Sequence, residues 1–226
     1  MRLNVAELVK QMIRWVYALS PYFWIDRYFK QQELAFEPES DAWQALRNKR
    51  LFLSEFYIVS WLVGSMLLVG LTVALNLTGD ADSILNSAIV TAVVVLLLLR
   101  IFGIVNKEIG VILFGICKIT EGTMVSATGR VIVLAMVNFM TALFLFATVY
   151  QLQGQFEDVP SFFGAPHSFA GLVHSVSLHF TMNGAFTPAD AFTWLVSISQ
   201  GIFCFAFGTI VISLFVSLLN VKPLRA

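Results

Sequence analysis

The chain contains three histidines, and all of them fall between positions 167 and 179. An imidazole binds metal ions and changes its charge near neutral pH, so these residues are the first candidates for chemistry. Their separations of seven and five residues do not give an i, i+4 pair, the spacing that places two ligands on one helical face. We therefore predict no metal site. His167, His174 and His179 are interpreted as polar residues of helix packing or of a pore mouth, with a pH response at His179 left open.

The other reactive residue types do not form a catalytic pattern. The sequence has no nucleophile elbow, no H-E-x-x-H, no phosphate-binding loop and no G-x-G-x-x-G. Cys117 and Cys204 lack partners at metal-ligand spacing and are too few for a disulfide framework. We predict a protein that is not an enzyme and has no cofactor.

The composition indicates an integral membrane protein. Of the 226 residues, 58% are hydrophobic and only 12% are charged, whereas soluble domains carry about 25% charged residues. A bilayer core about 30 Å thick needs roughly 20 apolar residues in a helix. Four segments meet this requirement, at 52–77, 84–105, 131–152 and 192–219. We expect an all-α fold in a lipid bilayer and no nucleic-acid partner.

The distribution of charge predicts the orientation. Of the fourteen Lys and Arg residues, eight lie before the first span, four lie from Arg100 at the end of the second span to Arg130 before the third, and two follow the fourth span. The charged side chains of the two other loops are all acidic: Asp80, Asp82, Glu157, Asp158 and Asp190. By the positive-inside rule these loops are outside. Both termini are then cytoplasmic, in a plasma membrane or a bacterial-type inner membrane.

Residues 1–50 form a separate amphipathic region. Apolar residues recur at helical spacing from Val5 to Val16, and many aromatic residues lie beside Arg14, Arg27 and Lys30. This pattern favours interfacial helices that face anionic lipid, with a break at Pro21. A small cytoplasmic bundle that packs on its own aromatics is the alternative. The next region, 51–128, holds two spans and a cytoplasmic linker helix within 106–129.

The last region, 129–226, contains a long outer loop between the third and fourth spans. Residues 168–180 have helix-compatible apolar spacing but are too few to cross a bilayer. The turn signal Asn183-Gly184 follows, and the fourth span comes soon after Pro188. A half-helix, a turn and a full span predict a re-entrant loop. Backbone at membrane depth is tolerated only where it is buried in protein or lines a water-filled cavity.

This layout resembles the pore module of the potassium-channel superfamily, which has an outer helix, a pore helix, a filter that begins with Thr and a long inner helix. In that family the filter reads T-V-G-Y-G, and an acidic residue often follows. By position, Thr181 takes the place of the opening Thr and Met182 that of Val. Asn183, Gly184 and Ala185 stand where Gly, Tyr and Gly are expected, and Phe186 stands at the acidic position. Both filter glycines are thus replaced, so we do not expect the usual potassium selectivity.

The resemblance implies a homotetrameric cation channel, with K⁺ or Na⁺ as the permeant ion and 181–186 as the constriction. It matches Gly201 and Gly208 to the inner-helix hinge. Candidate pore-lining or gate residues on the last span are Gln200, Phe203, Phe207, Thr209, Ser213 and Phe215. The alternative is a non-conducting scaffold or sensor subunit that keeps the fold, with a cytoplasmic or membrane partner docked on residues 1–50.

Overall fold

The computed structural model describes residues 5–18, 20–38, 40–78, 87–110, 125–161 and 169–219. Within these ranges the chain forms seven helices and one two-stranded antiparallel sheet. The helices are α1 (Val5–Tyr17), α2 (Pro21–Glu33), α3 (Asp41–Thr78), α4 (Ser87–Gly110), α5 (Val125–Gln153), α6 (Ala170–Thr181) and α7 (Ala191–Leu219). The strands are β1 (Phe156–Glu157) and β2 (Thr187–Pro188). The central part of the predicted linker helix, 111–124, lies outside the described residues.

Four of the described helices are long and apolar enough to cross a membrane, which confirms the predicted spans and an integral membrane protein. The helical segments that contain these apolar runs are Asp41–Thr78, Ser87–Glu108, Ile132–Gln153 and Ala191–Thr209. The first span begins eleven residues before the predicted position, because the charged residues 41–51 continue the same helix. A helix satisfies its own backbone polar groups, which is why apolar runs of this length fold as helices in lipid.

The N-terminal helices pack against the spans. The predicted break at Pro21 is present, since α1 ends at Tyr17 and α2 begins at Pro21. α2 packs on the first part of α3, where Arg50 binds Glu33 at 3.2 Å and approaches Asp26 at 3.9 Å. This gives α2 a protein partner in α3. α1 packs on α4, where Asn106 Nδ2 donates to the Ile13 carbonyl at 3.0 Å. Contact with lipid stays a prediction.

The centre of the protein is α5. Residues 141–150 of this helix are buried, with the exception of the half-buried Phe144. The main apolar core joins α5 to α4 and α7 through residues such as Ile104, Phe146 and Phe203. A smaller cluster joins it to α3 through Val69 and Val73. α6 also lies against α5, so the short helix is held by the most buried element of the fold.

Candidate functional site

The short helix α6 runs antiparallel to α5 and ends beside the middle of it. Near its first residue, Gly171 lies so close to α5 that a Cβ there would be 2.7 Å from the Gln151 nitrogen. One turn further on, Ser175 Oγ donates to the Leu143 carbonyl at 2.9 Å. Near its end, His179 Nε2 lies 3.1 Å from the Phe139 carbonyl. The contacts therefore descend along α5 from Gln151 to Phe139.

Polar contacts attach the other side of α6 to α7. The Nε2 of Gln200 donates to the carbonyl and the hydroxyl of Ser175, both at 3.0 Å. Nδ1 of His179 lies 3.3 Å from the same Gln200 nitrogen and also 3.3 Å from Cys204 Sγ. Because later residues of α7 meet later residues of α6, the two helices run in the same direction. The chain must therefore return along α6 before α7 begins.

The turn that starts this return is shaped by hydroxyl groups. α6 ends at Thr181, and the next residue, Met182, has a left-handed backbone (φ 57°) and donates its amide to the Leu178 carbonyl at 3.1 Å. Ser177 Oγ donates to the Asn183 carbonyl at 2.8 Å. Thr181 Oγ1 lies 2.6 Å from the Ser177 carbonyl and 3.1 Å from that of Asn183. The Asn183 carbonyl thus points back toward α6, although the side chains of Thr181, Met182 and Asn183 are exposed.

The return segment, residues 182–188, rises beside α6 to the sheet. A Cβ at Gly184 would overlap the His174 imidazole and lie 3.1 Å from its Nε2. The Phe186 amide donates to His174 Nδ1 at 3.3 Å. Thr187 then pairs with Glu157 in the sheet, and α7 begins three residues after Pro188. The glycine predicted to mark a turn is therefore a point of close approach between two segments.

His174 and His179 are buried residues of helix packing, with exposed fractions of 1% and 3%. This agrees with the packing interpretation of the sequence; His167 lies outside the described residues. Both side chains belong to α6, which is not one of the four spans. Burial lowers the pKa of both histidines to about 4, and the hydrogen bond from His179 to the Phe139 carbonyl opposes part of that shift. Each imidazole is therefore neutral near pH 7.

The structure places the predicted lining residues in two environments. Gln200, Phe203 and Phe207 are buried against α5 and α6 of the same chain, so their side chains do not reach a surface where copies could meet. Their lining or gate role stays a prediction, and it would require these side chains to leave the core of the subunit. Thr209 is exposed, and so is Ser199, which the sequence did not single out. The side chains of Ser213 and Phe215 lie outside the described part of the chain.

The two predicted hinge glycines lie within a continuous α7. This helix extends from Ala191 to Leu219 without interruption at Gly201 or Gly208. A Cβ at either position would meet no atom within 4 Å. A hinge role stays a prediction.

A buried hydrogen-bonded pair between α4 and α5 could be recognised only in part from the sequence. Asn138 Nδ2 donates to Glu108 Oε1 at 2.7 Å, and the two residues are 1% and 4% exposed. An isolated Asn in an apolar run is typical of an interhelical hydrogen bond, and Asn138 makes one. Glu108 was missed because it follows Lys107 at the predicted edge of the span. Arg100 packs its guanidinium over the rings of Tyr57 and Trp61, at 5.0 and 4.8 Å from their centroids.

No protein-family model matches this chain, and no characterised protein or solved structure is significantly similar to it. Among the described residues, no group of three or more His, Cys, Asp or Glu side chains is placed to hold a metal ion.

Proposed function

We propose that the chain is a subunit of a homo-oligomeric cation channel in which residues 181–186 form the narrow outer part of the pore. One observation carries the proposal: a polar turn with exposed Thr181 and Asn183 lies beside the middle of a helix that spans the membrane. In an isolated subunit this turn would face hydrocarbon. In a ring of copies it would face a shared aqueous space.

The depth of the turn follows from the contacts of α6. Phe139, which contacts His179, lies fourteen residues before the end of α5 at Gln153. At about 1.5 Å per residue Phe139 is about 21 Å below that end, and α6, whose 12 residues make a helix about 18 Å long, brings the turn to about the middle of a bilayer core of about 30 Å. Hydrocarbon cannot bind the exposed hydroxyl, amide and peptide groups, and each unsatisfied group costs several kcal/mol. Cover by other copies and by trapped water removes this cost.

Two features of the turn favour a cation. The C-terminal end of α6 points into the turn, and a helix carries partial negative charge at that end. The described residues from 181 to 188 include no Lys or Arg. The exposed face of α7 supplies the surface for a neighbouring copy, because it combines Leu195, Ile202 and Phe205 with the hydroxyls of Ser199 and Thr209. A tetramer with cytoplasmic termini is the arrangement that the channel resemblance and the charge distribution favour.

Flux measurements on matched variants of Thr181 test the proposal. The purified protein in planar bilayers is expected to carry a cation-selective current. Thr181→Val keeps the shape of the side chain but removes the hydroxyl that binds the Asn183 carbonyl, so we expect a change in selectivity or a loss of current of about tenfold. Thr181→Ser keeps the hydroxyl and is expected to stay close to the parent. Correctly folded oligomers of the parent that carry no current would contradict the channel.

The second candidate is a non-conducting scaffold or sensor subunit of the same architecture. The observation in its favour is the Asn183 carbonyl, which accepts a hydrogen bond from Ser177 Oγ at 2.8 Å, lies 3.1 Å from Thr181 Oγ1, and so is turned away from the exposed side. This subunit would use α1 and α2 to bind its partner. Silent bilayers together with a partner that is captured by the full chain and lost on removal of residues 1–50 would favour it over the channel.

A further inference from the structure

Four segments enclose His174: α5, β1, α7 and the return segment. Its Nε2 lies 3.1 Å from Ser197 Oγ of α7, and its Nδ1 accepts the Phe186 amide at 3.3 Å. The rings of Tyr150 and Phe156 approach it from α5 and β1, with centroids 5.0 and 4.5 Å away. Its exposed fraction is 1%. The side chain thus joins α5, α7 and the sheet to the return segment.

The partners of the ring determine which nitrogen carries the hydrogen. A peptide N–H can only donate, so Nδ1 must accept from Phe186, and the hydrogen of the neutral ring is on Nε2. That hydrogen is donated to Ser197 Oγ, whose own hydrogen goes to the Thr193 carbonyl at 2.8 Å. Tyr150 also donates to Ser197 Oγ, at 3.3 Å. Each of these contacts is compatible with a neutral ring.

Protonation would make both ring nitrogens donors. A hydrogen on Nδ1 would then point at the Phe186 amide, and the hydrogen bond that holds the return segment would be lost. Among the described side chains, the titratable ones on these elements and on α6 itself are Tyr150 of α5, Glu157 of β1, His179 of α6, Cys204 of α7 and Asp190 just before α7. Tyr150 is the one of these whose ring packs on the imidazole, and it carries no charge near neutral pH. The positive ring would gain no compensating anion from them.

We propose that neutral His174 is a positioning residue for the return segment, and that acid on the side of β1 and β2 releases residues 184–186 from α6. The direction follows from linkage. Burial lowers the pKa of His174 from the ordinary 6.5 to about 4, so the held form binds fewer protons than the released form. The attachment is therefore complete above about pH 6.5 and weakens as the pH falls toward 4. A consequent change in cation flux rests on the proposed function, whereas the release itself does not.

Amide hydrogen exchange in the full chain, reconstituted in lipid nanodiscs, tests the release without requiring conduction. Between about pH 7.5 and about pH 5, exchange at Phe186 is expected to accelerate about 25-fold beyond the intrinsic chemical change, because the released form is protonated below about pH 6.5 and the held form only near pH 4. His174→Asn places an acceptor oxygen near the position of Nδ1 and does not titrate. In that variant we expect a protected amide at both pH values. In His174→Ala we expect fast exchange at both.

Three results would overturn the proposal. The first is an unchanged wild-type rate at Phe186 across this pH range. The second is a pH dependence that survives in His174→Asn. The third is a pH dependence that disappears in His179→Asn, because the second buried histidine of α6 would then be the group that titrates. The wild type and His174→Asn decide the question if His174→Ala does not fold. Silent bilayers would contradict the channel and leave this test valid.

Discussion

At Gly184 the only side chain that fits is a hydrogen atom. A Cβ at this position would overlap the His174 ring, which is itself fixed by Ser197 and Tyr150. The ring cannot withdraw, because its other face is packed against Phe156. The sequence indicated Gly184 as part of a turn, which is a statement about local backbone. Its contact with a residue ten positions earlier depends on the return of the chain, and no local pattern encodes that.

The first prediction concerns this contact. Gly184→Ala is expected to destabilise the protein by about 1–3 kcal/mol, because the methyl group forces the return segment or His174 to move. Thermal unfolding of the purified protein measures the effect. Gly201→Ala is the matched control, since its Cβ would meet no atom within 4 Å and Ala favours a helix by about 0.5–1 kcal/mol over Gly. Equal unfolding midpoints for the two variants would contradict the close approach.

At the scale of elements, the apolar runs predicted the existence of the four spans but not which elements pack against them. A continuous run of apolar residues can satisfy its backbone in lipid only as a helix, so existence and length follow from composition. The packing partner of the amphipathic helix α2, in contrast, could not be predicted from the sequence. The same spacing suits a lipid surface or a protein surface, and the salt bridges of Arg50 with Asp26 and Glu33 involve residues 17 to 24 positions apart. Ion pairs over such separations cannot be assigned from periodicity.

The second prediction concerns the packing of α6 on α5. Gly171→Val would place its side chain into the backbone of Tyr150 and Gln151, at distances under 3 Å from the Cβ alone. We expect α6 to separate from α5, so amide exchange across residues 170–181 should become at least tenfold faster as the Ser175 and His179 contacts weaken.

The control for this variant is Gly103→Val on α4, where a Cβ meets open space. It introduces the same β-branched residue into a helix and should leave exchange in α6 unchanged. Equal effects of the two substitutions would mean that the close approach of the two helices has no energetic importance.

At the scale of the whole molecule, the distribution of charge predicts the direction in which the protein is inserted in the membrane. Three described spans lie between residues 37 and 157, so these positions must be on opposite sides of the bilayer. Residues 157 and 189 must share a side if α6 enters and returns, because the Ala189 amide donates to the Gln155 carbonyl. The acidic loops predict that this side is outside the cell.

The third prediction uses single cysteines at three exposed positions, in a chain with Cys117→Ser and Cys204→Ser. A membrane-impermeant maleimide applied to intact cells should label Glu157→Cys and Ala189→Cys. Glu37→Cys should react only after the membrane is opened. Labelling of Glu157→Cys and Ala189→Cys from different sides would show that α6 crosses the bilayer, and the re-entrant loop would be wrong.

The length of α3 has a mechanical consequence. Its 38 residues make a rod of about 57 Å, whose charged first turns carry α2 through Arg50 and whose far end holds Gln151 of α5 through Asn76. A tilt of about 5° would displace one end of such a rod by about 5 Å relative to the other. A push on the N-terminal helices would thereby be transmitted across the bilayer to the end of α5 on which the first turn of α6 packs.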